Sequence, residues 1–176
     1  MGSKALSNRA NWQMGASVTG KRGEDGFASK IAPCLPSHYA VINKPAKFAI
    51  YSDGKGVALD TYIANNESGK SILVEVKSGK NGGNAHERVY KYHMPRMRKA
   101  LRGKDPTLIP ESVFSVFSGR TFFGKEPFRS NSGTLVTPKK YQDEFANTLE
   151  PHLYTISDSS FTNIKEVAEK IMHLLE

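Results

Sequence analysis

Leu73-Val74-Glu75-Val76-Lys77-Ser78, read together with Gly56-Val57-Ala58-Leu59-Asp60-Thr61-Tyr62-Ile63 before it, decides the expected fold. Leu73, Val74 and Val76 mark a strand, and its period of two places Glu75 and Lys77 on one face. The earlier stretch reads as a second strand, and Asn65-Asn66-Glu67-Ser68-Gly69 between them is turn chemistry, so a hairpin can bring Asp60 beside Glu75. Two neighbouring carboxylates repel and are held ionised by a cation, and hard oxygen ligands with open positions suit Mg²⁺. The same residues alone also describe a solvated strand face with an incidental ion pair worth about 0 to 1 kcal/mol. The apolar surroundings weigh against that, because a charged pair inside such a stretch needs a partner or a task.

Asp60 followed by Glu75-Val76-Lys77 resembles the site of the PD-(D/E)xK nuclease superfamily, which carries an Asp on one strand and Glu-x-Lys on the next. Leu59 stands where its members usually have Pro. A second segment, Gly83-Asn84-Ala85-His86-Glu87-Arg88, is similar to the Gly-Asn-Ala-x-Glu-Arg of the EcoRI and MunI branch of type II restriction endonucleases, with His86 at the variable position. The opening Leu6-Ser7-Asn8-Arg9-Ala10-Asn11-Trp12-Gln13 also resembles the start of that branch's MunI members. The resemblance covers the front half closely and the remainder in outline. It implies an α/β (α+β) fold with the restriction-endonuclease-like core, a central mixed β-sheet flanked by helices. It also implies Mg²⁺-dependent, sequence-specific hydrolysis of double-stranded DNA by a homodimer, a palindrome being read by a two-fold protein. Asp60, Glu75 and Lys77 are then the catalytic residues, with Mg²⁺ on Asp60, Glu75 and the Val76 carbonyl. Glu24, in a first helix, is a further acid that the family pattern would bring near the metal.

The second segment has its own physics. Gly82-Gly83 permits unusual backbone angles, Asn84 is a good N-cap, and 85–101 favours helix with a kink at Pro95. Asn pairs bidentately with adenine, Arg reaches purine acceptors, and Glu accepts from exocyclic amines, so Asn84, Ala85, Glu87 and Arg88 form the base-reading candidate. An ordinary helix start, with Glu87 favoured by the helix dipole, accounts for the same residues without DNA. In the branch the segment reads an inner AATT. The connector Ser78-Gly79-Lys80-Asn81-Gly82 is short and has no Arg, so few side chains remain for an outer base pair. AATT cut before the first A, leaving four-base 5′ overhangs, is therefore the leading expectation. A hexanucleotide such as CAATTG, favoured by the MunI-like opening, is the alternative.

Twenty-five Lys and Arg against 17 acids give a net charge of +8. Lys91, Arg96, Arg98, Lys99, Arg102 and Lys104 cluster after the reading segment, and of these Lys91, Arg96 and Lys99, with Lys80, are the backbone-contact candidates; general solubility explains a basic surface equally well. The 176 residues are expected to form one domain spanning 1–176. Cys34 is the only cysteine, which excludes an internal disulfide, and no stretch resembles a secretory or membrane-spanning segment, in keeping with a prokaryotic cytoplasm. A cognate adenine methyltransferase is the genetic partner the resemblance implies. Two rivals stand beside this reading. A Holliday-junction resolvase shares Asp and Glu-x-Lys but has no use for 84–88, and a non-catalytic DNA-binding module has no use for the acids.

The remaining pattern predicts a helix over 20–32 ending before Pro33, and strands over 39–42, 48–51, 57–63, 71–77 and 113–117. A helix follows Thr137-Pro138 through Leu149, and a last helix opens on Asn163-Ile164-Lys165-Glu166, which resembles a capping box. Its stripe of Ile164, Val167, Ala168, Ile171, Met172 and Leu175 is read as core packing. Residues 119–133, rich in Gly, Phe and basic residues, read as a long loop.

Overall fold

A strand with apolar residues on both faces can only sit in the middle of a sheet, and Lys70–Ser78 does. The computed structural model describes residues 26–78, 90–118, 149–158 and 160–176. They contain a five-stranded mixed sheet in chain order: β1 (Tyr39–Asn43), β2 (Thr61–Asn65), β3 (Lys70–Ser78), β4 (Leu108–Ser118) and β5 (Tyr154–Ser157). β1 and β3 run antiparallel to β2, whereas β3, β4 and β5 are mutually parallel. Each parallel step requires a crossover. The first carries a short helical stretch, 90–93, and helix α1 (Pro95–Arg102); helix α2 (Ile164–Leu175) follows the sheet.

The two faces of β3 face different layers. Ile72, Val74 and Val76 pack with Phe114 and Val116 against Val167, Ala168, Ile171 and Leu175 of α2 and against Phe27 and Ile31 of the helical residues 26–31. Leu73 shares the opposite face with Val113, Tyr92 and Leu101, beneath α1. Glu75 and Lys77 follow Leu73 at the strand period, so they project on the α1 side.

Several boundaries differ from the sequence expectation for identifiable reasons. Phe48 and Val57 form an isolated bridge in place of two strands, and β2 starts only at Thr61. Apart from that single bridge, Val57 and Leu59 are buried under α1 from irregular backbone, so their hydrophobicity reports burial and not a strand of the sheet. Pro95 does not kink a long helix but starts a new one, after a bend at Met94. Pro33 lies inside a 3-10 turn, Ala32–Cys34, that continues the first helix. Leu149, the expected end of the helix from 137, is in a bend. Asn163 caps α2 by position only: its Nδ2 donates to the Ile156 carbonyl at 2.8 Å, and it makes no side-chain cap. The α2 stripe is core as expected, although Met172 is only half-buried and Leu174 joins the cluster. The expected helix from 137, the loop 119–133 and the start of the first helix at 20 lie outside the described residues.

β4 is irregular where it joins the sheet. Ser71 pairs with Leu108, but Leu73 pairs with Val113, and the surplus is absorbed by a bulge in which Ser112 adopts φ 63°. Ser112 Oγ donates to the Ile109 carbonyl at 3.2 Å, closing the bulge locally. Beyond it the register is regular, so Ser115 faces Glu75 and Phe117 faces Lys77.

Ile171 is fully buried between α2 and the sheet. Ile171→Ala is expected to lower the unfolding free energy by about 2 to 5 kcal/mol, whereas the exposed Lys165→Ala should stay within about 0.5 kcal/mol. Urea denaturation followed by circular dichroism measures both.

Candidate active site

Asp60 is placed by backbone before its side chain is considered. Its N–H donates to the Val74 carbonyl at 3.1 Å and its own carbonyl accepts from Lys44 N at 2.8 Å, prolonging the sheet one residue beyond β2. The Asp60 Oδ2 then accepts the Val76 N–H at 2.6 Å. That short charge-assisted bond fixes the carboxylate against β3, one residue from Glu75. In a strand, amide and carbonyl of one residue leave on the same edge, so the Val76 carbonyl also faces the Asp60 side.

Glu75 is 3 % exposed, and an isolated carboxylate at that depth would be costly. The Lys77 ammonium pairs with its Oε1, from a side chain that is 23 % exposed. One buried acid, one acid clamped to the neighbouring peptide, and one lysine reaching toward solvent therefore share the end of β3. Two carboxylates and a carbonyl around the end of β3 are hard oxygen donors, a set whose chemistry fits a divalent cation such as Mg²⁺.

The family model for the type II restriction enzyme MunI matches residues 1–145. The chain belongs to the MunI family of type II restriction enzymes. Like others of that family, it is a site-specific deoxyribonuclease, and such enzymes generally work with a divalent metal. The crystal structure of MunI restriction endonuclease in complex with cognate DNA superimposes with a TM-score of 0.54 at 22 % identity, over 79 % of this chain and 83 % of that one. That likeness extends the family assignment to the restriction-endonuclease-like fold. No curated protein sequence matches the chain.

Of the surface candidates, Lys91, Arg96 and Lys99 are exposed, and Lys91 and Arg96 border one groove of about 480 Å³ with Tyr51 and Met94. Lys91 also sits over the Tyr92 ring at 4.7 Å. Arg98 departs from the expected basic cluster. It turns inward to 18 % exposure, where its guanidinium lies 3.7 Å from Glu150. The base-reading candidates Asn84, Ala85, Glu87 and Arg88, with Lys80 and Glu24, lie outside the described residues.

Two groupings escaped the sequence reading because their members are distant along the chain. Glu111, Glu150 and His152 come within 4.8 Å of one another and could ligate a cation. Glu150 is half-exposed and already pairs with Arg98 at 3.7 Å, with His152 Nε2 3.2 Å from its other oxygen. The other grouping is buried: His93 Nε2 and Ser115 Oγ are 2.7 Å apart.

Burial, and then the charge of Arg98, push the His93 pKa down from 6.5 to about 4, so the imidazole is neutral in the folded protein. An unfolded chain takes up this proton near 6.5 and the folded one only near 4, so the unfolded state binds more protons in between. Stability should therefore fall as pH drops from 6.5 to about 4, by at most about 3 kcal/mol, and level off below. His93→Gln should remove this contribution, which urea midpoints at about pH 7 and about pH 4.5 would show as a smaller difference than in the wild type.

Proposed function

We propose that this family member cuts both strands of DNA at a palindrome containing AATT, with Asp60, Glu75 and Lys77 as its catalytic residues and Mg²⁺ as its metal. The reading is carried by one observation: the Asp60 carboxylate is clamped to the Val76 amide beside the buried Glu75 and its Lys77 partner. Asp60, Glu75 and the Val76 carbonyl hold the Mg²⁺. Once bound, the ion polarises the scissile phosphate and acidifies water. Lys77 orients the attacking water and steadies charge developing on the phosphate, where a pre-set cation is most effective. The water oxygen bonds to phosphorus and the 3′ oxygen leaves with a proton, giving 5′-phosphate and 3′-hydroxyl ends.

Asn84, Ala85, Glu87 and Arg88 read the adenine-centred core from the major groove, and Lys80, Lys91, Arg96 and Lys99 hold the backbone. The short connector 78–82 without Arg supports AATT itself, cut before the first A to leave 5′ overhangs. The family match, which includes the amino-terminal opening, favours CAATTG as the second reading. The working unit is a homodimer of one-domain protomers, Glu24 is a further acid near the metal, and a cognate adenine methyltransferase protects the genome of a prokaryotic host in whose cytoplasm the enzyme acts.

Digestion of a sequenced plasmid with Mg²⁺, an EDTA control and end-sequencing tests this. Cuts at every AATT establish the tetranucleotide enzyme, cuts only at flanked AATT establish outer readout, and absence of sequence-specific cutting overturns the proposal. Asp60→Asn keeps an acceptor for the Val76 amide while removing the charge, so it should abolish cutting with the fold intact. Glu75→Gln and Lys77→Ala should also abolish cutting, each with DNA binding retained in a gel-shift assay. Log K for DNA should fall by about 0.9 per decade of salt for each phosphate neutralised, and each of Lys91→Ala, Arg96→Ala and Lys99→Ala should reduce that slope by about one unit.

A further inference from the structure

Beneath α1 the sheet carries a polar pair that the chemistry above does not use. His93 is 5 % exposed and Ser115 is fully buried, and they are joined by the 2.7 Å contact between Nε2 and Oγ. Ser115 is the register partner of Glu75 in the parallel β3–β4 ladder. Register partners project from the same face of adjacent strands, about 4.8 Å apart, so the residue that holds the imidazole is the immediate same-face neighbour of Glu75. The His93 Nδ1 is buried and has no hydrogen-bond partner among the described residues. An unsatisfied buried ring nitrogen is costly, and a phenyl ring of similar volume would fill the space without that cost. Packing alone does not account for a histidine here.

The bond also anchors the chain two residues ahead of α1, which starts at Pro95, to the strand residue facing Glu75.

We propose that His93 and Ser115 are a positioning pair that holds the Glu75 carboxylate through the strand residue beside it, so that the rate of cutting, and not the affinity for DNA, depends on their hydrogen bond. The inference rests on the nuclease reading above and extends it to two residues that touch neither phosphate nor base. In the neutral state either tautomer serves: Nε2–H donates to Oγ, or the hydroxyl donates to an unprotonated Nε2.

The test compares wild type with His93→Phe, which keeps the ring volume, His93→Gln, which keeps a nitrogen near the Nε2 position, Ser115→Ala, and the His93→Phe/Ser115→Ala double variant. Single-turnover cleavage of an AATT duplex is measured with Mg²⁺, duplex affinity with Ca²⁺ in its place, and folding by thermal melting. Cleavage should slow about 10- to 100-fold in His93→Phe and in Ser115→Ala, while affinity stays within about two-fold. His93→Gln should recover most of the rate, and the double variant should be no slower than the slower single, because both remove the same bond. Should His93→Phe not fold, Ser115→Ala against His93→Gln carries the comparison. Wild-type rates in the folded variants, additive losses in the double variant, or loss of affinity in step with rate would each overturn the inference while leaving the nuclease reading intact. A wild-type protein that cuts no DNA overturns that reading, and this inference with it.

Discussion

The hydrogen bond from the Val76 amide to the Asp60 carboxylate joins a residue outside the strands to the central strand of the sheet. With the Asp60 amide on the Val74 carbonyl, it makes Asp60 the last rung of the β2–β3 ladder, although Asp60 itself is in a bend. A side chain at the end of a strand normally samples several rotamers. This one is held by a backbone donor whose position is set by β3, which is in turn fixed by neighbours on both edges and layers on both faces. The acid's orientation thus inherits the rigidity of the core, a requirement for any group that must meet a substrate within a fraction of an ångström.

The same sheet separates an apolar face from a partly charged one. The face packed on α2 is wholly apolar at Ile72, Val74 and Val76, whereas the α1 face changes along β3 from Leu73 to Glu75 to Lys77. Charge is compensated step by step there: Lys77 answers the buried Glu75, and nearer the surface Glu150 answers Arg98 of α1. A buried ion pair adds little net stability compared with apolar packing, so the Glu75–Lys77 pair beside Asp60 is not what holds the fold together.

Much of this was legible in the sequence. The alternation around Glu75 gave β3 and its two faces, the Asn65–Gly69 stretch gave the hairpin, and the stripe in 164–175 gave the core face of α2. Hydrophobicity misled where burial is achieved without a ladder, as at Val57 and Leu59, which fill the α1 cluster from irregular backbone. β5 went unread because Tyr154–Ser157 is only four residues long and takes its strand character from β4 beside it. The Asp60, Glu75 and Lys77 grouping could be anticipated because a hairpin of defined length links them. His93 with Ser115, and Arg98 with Glu150, could not, since only the crossover packing of α1 brings them together.

The bulge at Ser112 bears on how such a chain can vary in length. By taking up surplus residues between Leu108 and Val113, it uncouples the start of β4 from the stretch that faces Glu75 and Lys77. A residue gained or lost ahead of Val113 can be accommodated by reshaping a defect already present, leaving the phase of the later pairs intact. The same change between Val113 and Phe117 would turn every following side chain to the opposite face, exchanging Ser115 for a phenylalanine or a valine opposite the buried acid. The sheet is thus tolerant of length on one side of Ser112 and rigidly counted on the other.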